Sequence, residues 1–104
     1  MIDDIVAEMG PLFIKGVFSK KTTYRFLVDG QTISFTMDAD SFSVEHGAGT
    51  GEADCTCQTS EQMFRKIWFK GYKPGIMDFM GGAIKSNAPM LLPLFLRAFG
   101  KVPA

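Results

Sequence analysis

The sequence predicts one domain in which a run of antiparallel strands is covered by helices. Three observations predict it. Apolar residues alternate with a period of two from Thr22 to Glu45, with turn residues between the runs. Apolar stretches with helical spacing lie on either side of that region. The chain has 104 residues, 46% of them apolar, enough for one core but not for a two-domain enzyme. No internal repeat, low-complexity segment or long linker divides it, so residues 1–104 are taken as a single domain.

The first element lies within Ile2 to Phe18, where Ile5, Val6, Met9, Leu12, Phe13 and Val17 recur at helical spacing. Gly10-Pro11 interrupts it, because proline fits only the first turn of a helix without losing a hydrogen bond. The alternatives are a short helix followed by a second one from Pro11, or one kinked helix. Tyr24, Phe26 and Val28 then alternate with Arg25 and Leu27, and Asp29-Gly30 reads as a hairpin turn. Ile33, Phe35 and Met37 form the second strand, which ends at Asp38-Ala39-Asp40, and Phe42 and Val44 belong to the third. The glycine-rich HGAGTG stretch at 46–51 follows. It neither opens a helix nor precedes a lysine with serine or threonine, so it is not read as a phosphate-binding loop.

Ala53 to Gln58 reads as a fourth strand. Thr59 and Gln62 have the spacing of a capping box, and the helix they start places Met63, Phe64, Ile67 and Trp68 on one face, ending at Gly71 and Pro74. A short apolar helix from Gly75 to Met80 stops at Gly81-Gly82, and Ala83 to Ser86 forms a brief fifth strand. Met90 to Phe99 is a strongly apolar terminal helix that contains Pro93.

Composition narrows the function. Lysine plus arginine equal aspartate plus glutamate at 11 each, which argues against a nucleic-acid partner that needs a strong positive field. The charge is unevenly placed, with −6 in residues 1–61 and +6 in residues 62–104. The basic part either attracts an anionic head group or membrane surface, or is neutralised by the acidic part within one fold. Cys55 and Cys57 lie two apart, on one face of a strand and too distant for an unstrained disulfide, so they read as small apolar residues in a reducing compartment. With one histidine, His46, no metal site is expected. His46 also lacks a nucleophile nearby, and Asp3-Asp4 and Asp38-Asp40 sit at a terminus and a turn, so neither an enzyme nor a cofactor is expected. No apolar run reaches the length of a membrane span, and MIDDIVAEMG begins with acids where an export signal carries bases, which predicts a cytoplasmic protein.

Phenylalanine occurs 10 times and methionine 7 times, and five and four of these fall after residue 62. Methionine adapts its shape to varied apolar partners, and an apolar pocket with few polar groups is the usual small-molecule site. The plainer reading is that these side chains form the core.

Residues 53–86, ADCTCQTSEQMFRKIWFKGYKPGIMDFMGGAIKS, resemble the sterol carrier protein 2 family, with Ala53-Asp54, Gly71, Pro74, Phe79, Gly82, Ile84 and Lys85 at matching places. YRFLVDG and SFSVEHG upstream also fit, so the resemblance covers roughly residues 22–99. The chain departs from the family at Asn87-Ala88-Pro89, at Pro93 and in its short first helix. The resemblance implies an α+β fold, a five-stranded and mostly antiparallel sheet covered by helices that enclose an apolar tunnel. It also implies non-catalytic binding or transfer of a fatty acid, fatty acyl-CoA or related amphipathic lipid. By position, the lipid-binding residues would be Met63, Phe64, Ile67 and Trp68, then Ile76, Phe79 and Met80, then Met90, Leu91, Leu94 and Phe95. A transient membrane contact fits that reading. The alternative is an interaction module with a filled core that forms a homodimer or docks on a partner through the terminal helix.

Overall fold

The computed structural model describes residues 2–47 and 51–101, so the glycine-rich stretch lies partly outside the described residues. The elements are α1 (Asp3–Leu12), β1 (Thr22–Val28), β2 (Gln31–Met37), β3 (Phe42–His46), β4 (Cys55–Thr59), α2 (Glu61–Lys70), α3 (Ile76–Met80), β5 (Ile84–Ser86), a 3₁₀ turn (Pro89–Leu91) and α4 (Leu92–Ala98). The five strands form one sheet in the order β3-β2-β1-β4-β5.

Local chemistry accounts for most boundaries. Asp29 and Gly30 both have positive φ, 48° and 83°, as a two-residue type I′ hairpin requires, and they set the register Val28↔Gln31. Asp38 closes the next turn by accepting from the Asp40 and Ser41 amides at 2.9 and 2.8 Å. These bonds hold its carboxyl below the usual range. Gly71 ends α2 in the left-handed conformation that favours glycine, φ 66°.

Three expectations are corrected. The cap of α2 is Ser60, whose Oγ accepts from the Met63 amide at 3.0 Å. Thr59 stays in β4, and its hydroxyl donates to the Ala83 carbonyl at 3.0 Å, so Thr59 and Gln62 make no capping box. No second helix starts at Pro11, which lies inside α1 one residue before its end, and the chain turns away at Phe13. The terminal helix starts at Leu92 rather than Met90, after the 3₁₀ turn, which puts Pro93 in its first turn, where a missing amide costs nothing.

The fourth strand crosses over to pair parallel with β1, Tyr24 opposite Cys55 and Phe26 opposite Cys57, whereas the other three pairings are antiparallel. Tyr24, Phe26, Val28, Ile33, Phe35, Met37, Cys55, Cys57 and Ile84 thereby share the buried face. Against it pack Ile5 and Met9 of α1, Phe64 and Trp68 of α2, and Phe95 and Ala98 of α4, with Phe99 just beyond. Phe95 sits at the centre, its ring 5.2 Å from Tyr24, 4.9 Å from Phe26, 5.2 Å from Phe35 and 5.3 Å from Phe99.

The Tyr24 hydroxyl donates to the Leu91 carbonyl at 2.5 Å and ties the central strand to the terminal segment. Tyr24→Phe leaves that carbonyl without its donor and is expected to lower stability by about 1–2 kcal/mol in urea unfolding. A change within error would show that Leu91 finds another partner.

Candidate functional site

The helices do not fill the space above β1, β4 and β5. Phe26, Cys57, Thr59 and Ile84 form the floor of a cleft of about 500 Å³. Phe64, Ile67 and Trp68 of α2 form one wall, and Lys73, Pro74 and Phe79 in and before α3 form a second. The terminal segment closes the third side with Pro89, Met90, Leu92, Pro93, Phe95 and Leu96. The cleft is partly open, and its exposed lining residues are Lys73, Pro89, Met90 and Pro93.

The lining is almost wholly apolar. The Thr59 hydroxyl is already engaged with Ala83, and Lys73 supplies the only charge among the lining residues. Burial, with the neighbouring Cys55 adding to it, pushes the Cys57 thiol up to about 12, so it presents a neutral sulfur to the cleft. Cys55 is raised mainly by burial and lies 3.6 Å from the Ser86 hydroxyl. Among the described residues, no group of three or more His, Cys, Asp and Glu could hold a metal ion.

These thiols give the fold an alkaline weakness. The unfolded chain releases the Cys57 proton above the ordinary thiol value of 9.0, while the folded chain keeps it up to about 12. The unfolded state then binds fewer protons, so stability falls as pH rises through that interval. Tyr24, its hydroxyl raised chiefly by burial, contributes with the same sign. Tm is expected to drop as pH rises from about 9 towards about 12, less steeply in Cys57→Ala. Equal slopes for the two proteins would assign the drop to other groups.

Six of the residues that the resemblance points to line the cleft: Phe64, Ile67, Trp68, Phe79, Met90 and Phe95. Met63, Leu91 and Leu94 are half-buried against the core and do not line it. Ile76 and Met80 stand in solvent, 72% and 75% exposed, because Phe79 is the residue of α3 that turns inward. The floor residues Phe26, Cys57 and Ile84 were not anticipated. The alternation of β1 and β4 puts Phe26 and Cys57 on the apolar face, but only the parallel pairing sets them side by side. The prolines and Lys73 carry no periodic signal.

The uneven charge is partly resolved at the seam between α1 and α2. Arg65 makes a bidentate contact with Asp4 at 2.8 and 2.9 Å and a 2.8 Å bond to Glu61, and Lys101 lies 3.8 Å from Glu8. The Trp68 indole donates to Glu8 at 2.6 Å, which fixes this wall of the cleft to α1. Lys66 lies over the Tyr72 ring, 3.9 Å from its centre. The Asp78 carboxylate accepts from the Tyr72 hydroxyl at 2.7 Å and from the Gly75 amide at 2.8 Å, and these bonds hold it below its ordinary range.

A second hollow lies on the opposite face of the sheet, where polar side chains such as Arg25, Thr56, Gln58 and Lys85 border it together with Leu27. Among the described residues no helix is long and apolar enough to cross a membrane.

No protein-family model matches the chain, and no curated protein does. Solved structures do match. The stereoselective inverting sec-alkylsulfatase Pisa1 from Pseudomonas sp. aligns with a TM-score of 0.69 at 13% identity over 92% of this chain and 15% of its own. A double mutant of Pisa1 reaches 0.75 at 13% identity over 100% of this chain and 16% of its own, so this chain spans about a sixth of the sulfatase's length. UbiJ-SCP2, a ubiquinone synthesis protein, aligns with 0.67 at 14% identity over 92% of this chain and 85% of its own. Sterol carrier protein 2 from Yarrowia lipolytica aligns with 0.54 at 21% identity over 75% of this chain and 69% of its own. At these identities the likeness concerns architecture: the chain has the α+β fold of sterol carrier protein 2, with a five-stranded sheet covered by helices.

Proposed function

We propose that this chain binds an amphipathic lipid in the apolar cleft and carries it without chemical change, as a cytoplasmic protein. The observation that carries the reading is the cleft itself, about 500 Å³ of space walled by Phe26, Phe64, Trp68, Phe79 and Phe95, with one cation, Lys73, in its lining. That size falls within the range of small-molecule sites, about 300–1,000 Å³. Each buried methylene contributes about 0.8 kcal/mol, so ten of them supply about 8 kcal/mol before ordering costs, the scale of a micromolar complex. Lys73 would meet a carboxylate or phosphate at the open end, which favours a fatty acid, an acyl-CoA or an anionic relative. The sterol carrier protein 2 fold supports the same reading.

Lipid that co-purifies would be detected by native mass spectrometry, and binding by displacement of a fluorescent fatty acid. If none co-purifies and none binds at micromolar concentration, the reading fails. Lys73→Glu is expected to weaken a fatty acid by about tenfold while leaving an uncharged acyl ester within about twofold, because the lysine meets only the charged end. Equal loss for both ligands would remove the head-group role.

A second reading is favoured by the sulfatase comparison, in which this architecture matches a minor part of a longer enzyme chain. The chain would then serve as an interaction or accessory module. It would not use Phe95 and Phe99 for this, since both are buried in its own core. A dimer in light scattering together with absent lipid binding would favour this reading.

A further inference from the structure

Four large apolar side chains stand in water on the two segments that border the open end of the cleft. Ile76, Met77 and Met80 of α3 are 72%, 74% and 75% exposed, and Met90 of the 3₁₀ turn is 87% exposed. In α3 they occupy positions i, i+1 and i+4, one helix face, while Phe79 faces the cleft. A soluble monomer seldom keeps such a cluster without a use for it.

We propose that this rim, α3 with Met90, is a docking face for an anionic lipid bilayer. Charge complementarity selects the occupant. Residues 62–101 carry seven cations and one acid, Asp78. Arg65 and Lys101 are engaged with Asp4, Glu61 and Glu8. Of the other five, all exposed, Lys66, Lys70 and Lys73 lie on α2 and the segment leading to α3, with Lys66 over the Tyr72 ring. Asp78 is the acid nearest the apolar face, and its charge is held by the Tyr72 hydroxyl and the Gly75 amide. Apolar side chains that enter the headgroup boundary and lysines that meet anionic headgroups are the two elements of interfacial binding. Continuity with the cleft is the second argument, since Met90 belongs to both the rim and the lining, and Lys73, shortly before α3, also lines the cleft. The inference rests on the lipid-binding reading of the cleft. Docking here would set its opening against the headgroups, so that an acyl chain could enter without crossing water.

Co-sedimentation of the full chain with phosphatidylcholine vesicles, with and without phosphatidylglycerol, tests the face. Binding is expected to the anionic vesicles and to fall by about tenfold or more when phosphatidylglycerol is omitted or salt is raised. The double variant Met77→Asp, Met80→Asp is expected to lose vesicle binding by at least about tenfold while its affinity for a fluorescent fatty acid stays within about twofold, because neither side chain lines the cleft. Met90→Asp, in a different element, checks that the loss is not a local unfolding of α3, and it should weaken vesicle binding in the same way. The proposal is overturned if the wild-type chain ignores both vesicle types, if the double variant binds as well as the wild type, or if the rim instead mediates a dimer that the double variant dissolves. If vesicles bind through the rim but no fatty acid enters the cleft, the lipid-carrier reading fails and the docking face stands.

Discussion

Phe95→Ala is expected to destabilise the fold by about 3–5 kcal/mol, a large part of the roughly 5–15 kcal/mol that holds a domain of this size together. The ring is 2% exposed and lies within 5.3 Å, centre to centre, of Tyr24, Phe26, Phe35 and Phe99. Its removal opens a cavity at the point where β1, β2 and α4 meet, and a helix of seven residues has few other contacts with which to close it. Because Phe95 also lines the cleft, the cavity would join the existing space. Urea unfolding would therefore show a lower midpoint, and a long apolar ligand would restore part of the loss by binding only the folded chain. Phe95→Leu, which keeps most of the volume, is expected to lose about half as much. A cost below about 1 kcal/mol for the alanine variant would mean that α4 does not anchor to the sheet through this ring.

Phe79→Asp is expected to reduce affinity for a fatty acid by at least about tenfold, with little change in stability. Phe79 is half-buried and turns from α3 into the cleft, and α3 has no fully buried residue, so the fold depends little on it. A carboxylate placed there must either lose its hydration when an acyl chain arrives or hold water in the cleft, and either outcome opposes binding. It would also repel an anionic head group approaching Lys73. Fluorescent fatty-acid titration reads the first effect and thermal unfolding the second. Unchanged affinity would place the acyl chain elsewhere, whereas lost affinity with a collapsed Tm would make Phe79 a structural residue.

These two side chains also illustrate how far the residues alone could be read. Phe79 and Phe95 were both accessible to sequence reasoning, since each lies in a short apolar segment that resembles the sterol carrier protein 2 family, and both line the cleft. Ile76 and Met80, from the same segment as Phe79, do not. In five residues of helix the direction of the inward face depends on where the helix starts, and a start at Ile76 leaves Phe79 as its single inward side chain. Lys73 was visible only as one of the basic residues of 62–104, and the fold alone gives it a place in the lining of the cleft.

The sequence by itself determined the strands, their apolar face and the hairpin, because alternation and an Asp-Gly turn act over a few residues and need no distant partner. It also located the helices, apart from the end of the first, the cap of the second and the first turn of the terminal one, and the concentration of phenylalanine, methionine and positive charge after residue 62. Only the tertiary structure decided that β4 crosses over to lie parallel to β1, which sets Phe26 beside Cys57 as the floor of the cleft. It alone decided which apolar side chains fill the core and which face empty space. The reason is physical: burial is cooperative and non-local, so a phenylalanine in a core and one lining a cleft carry the same local signal. They differ only in what the rest of the chain places opposite them.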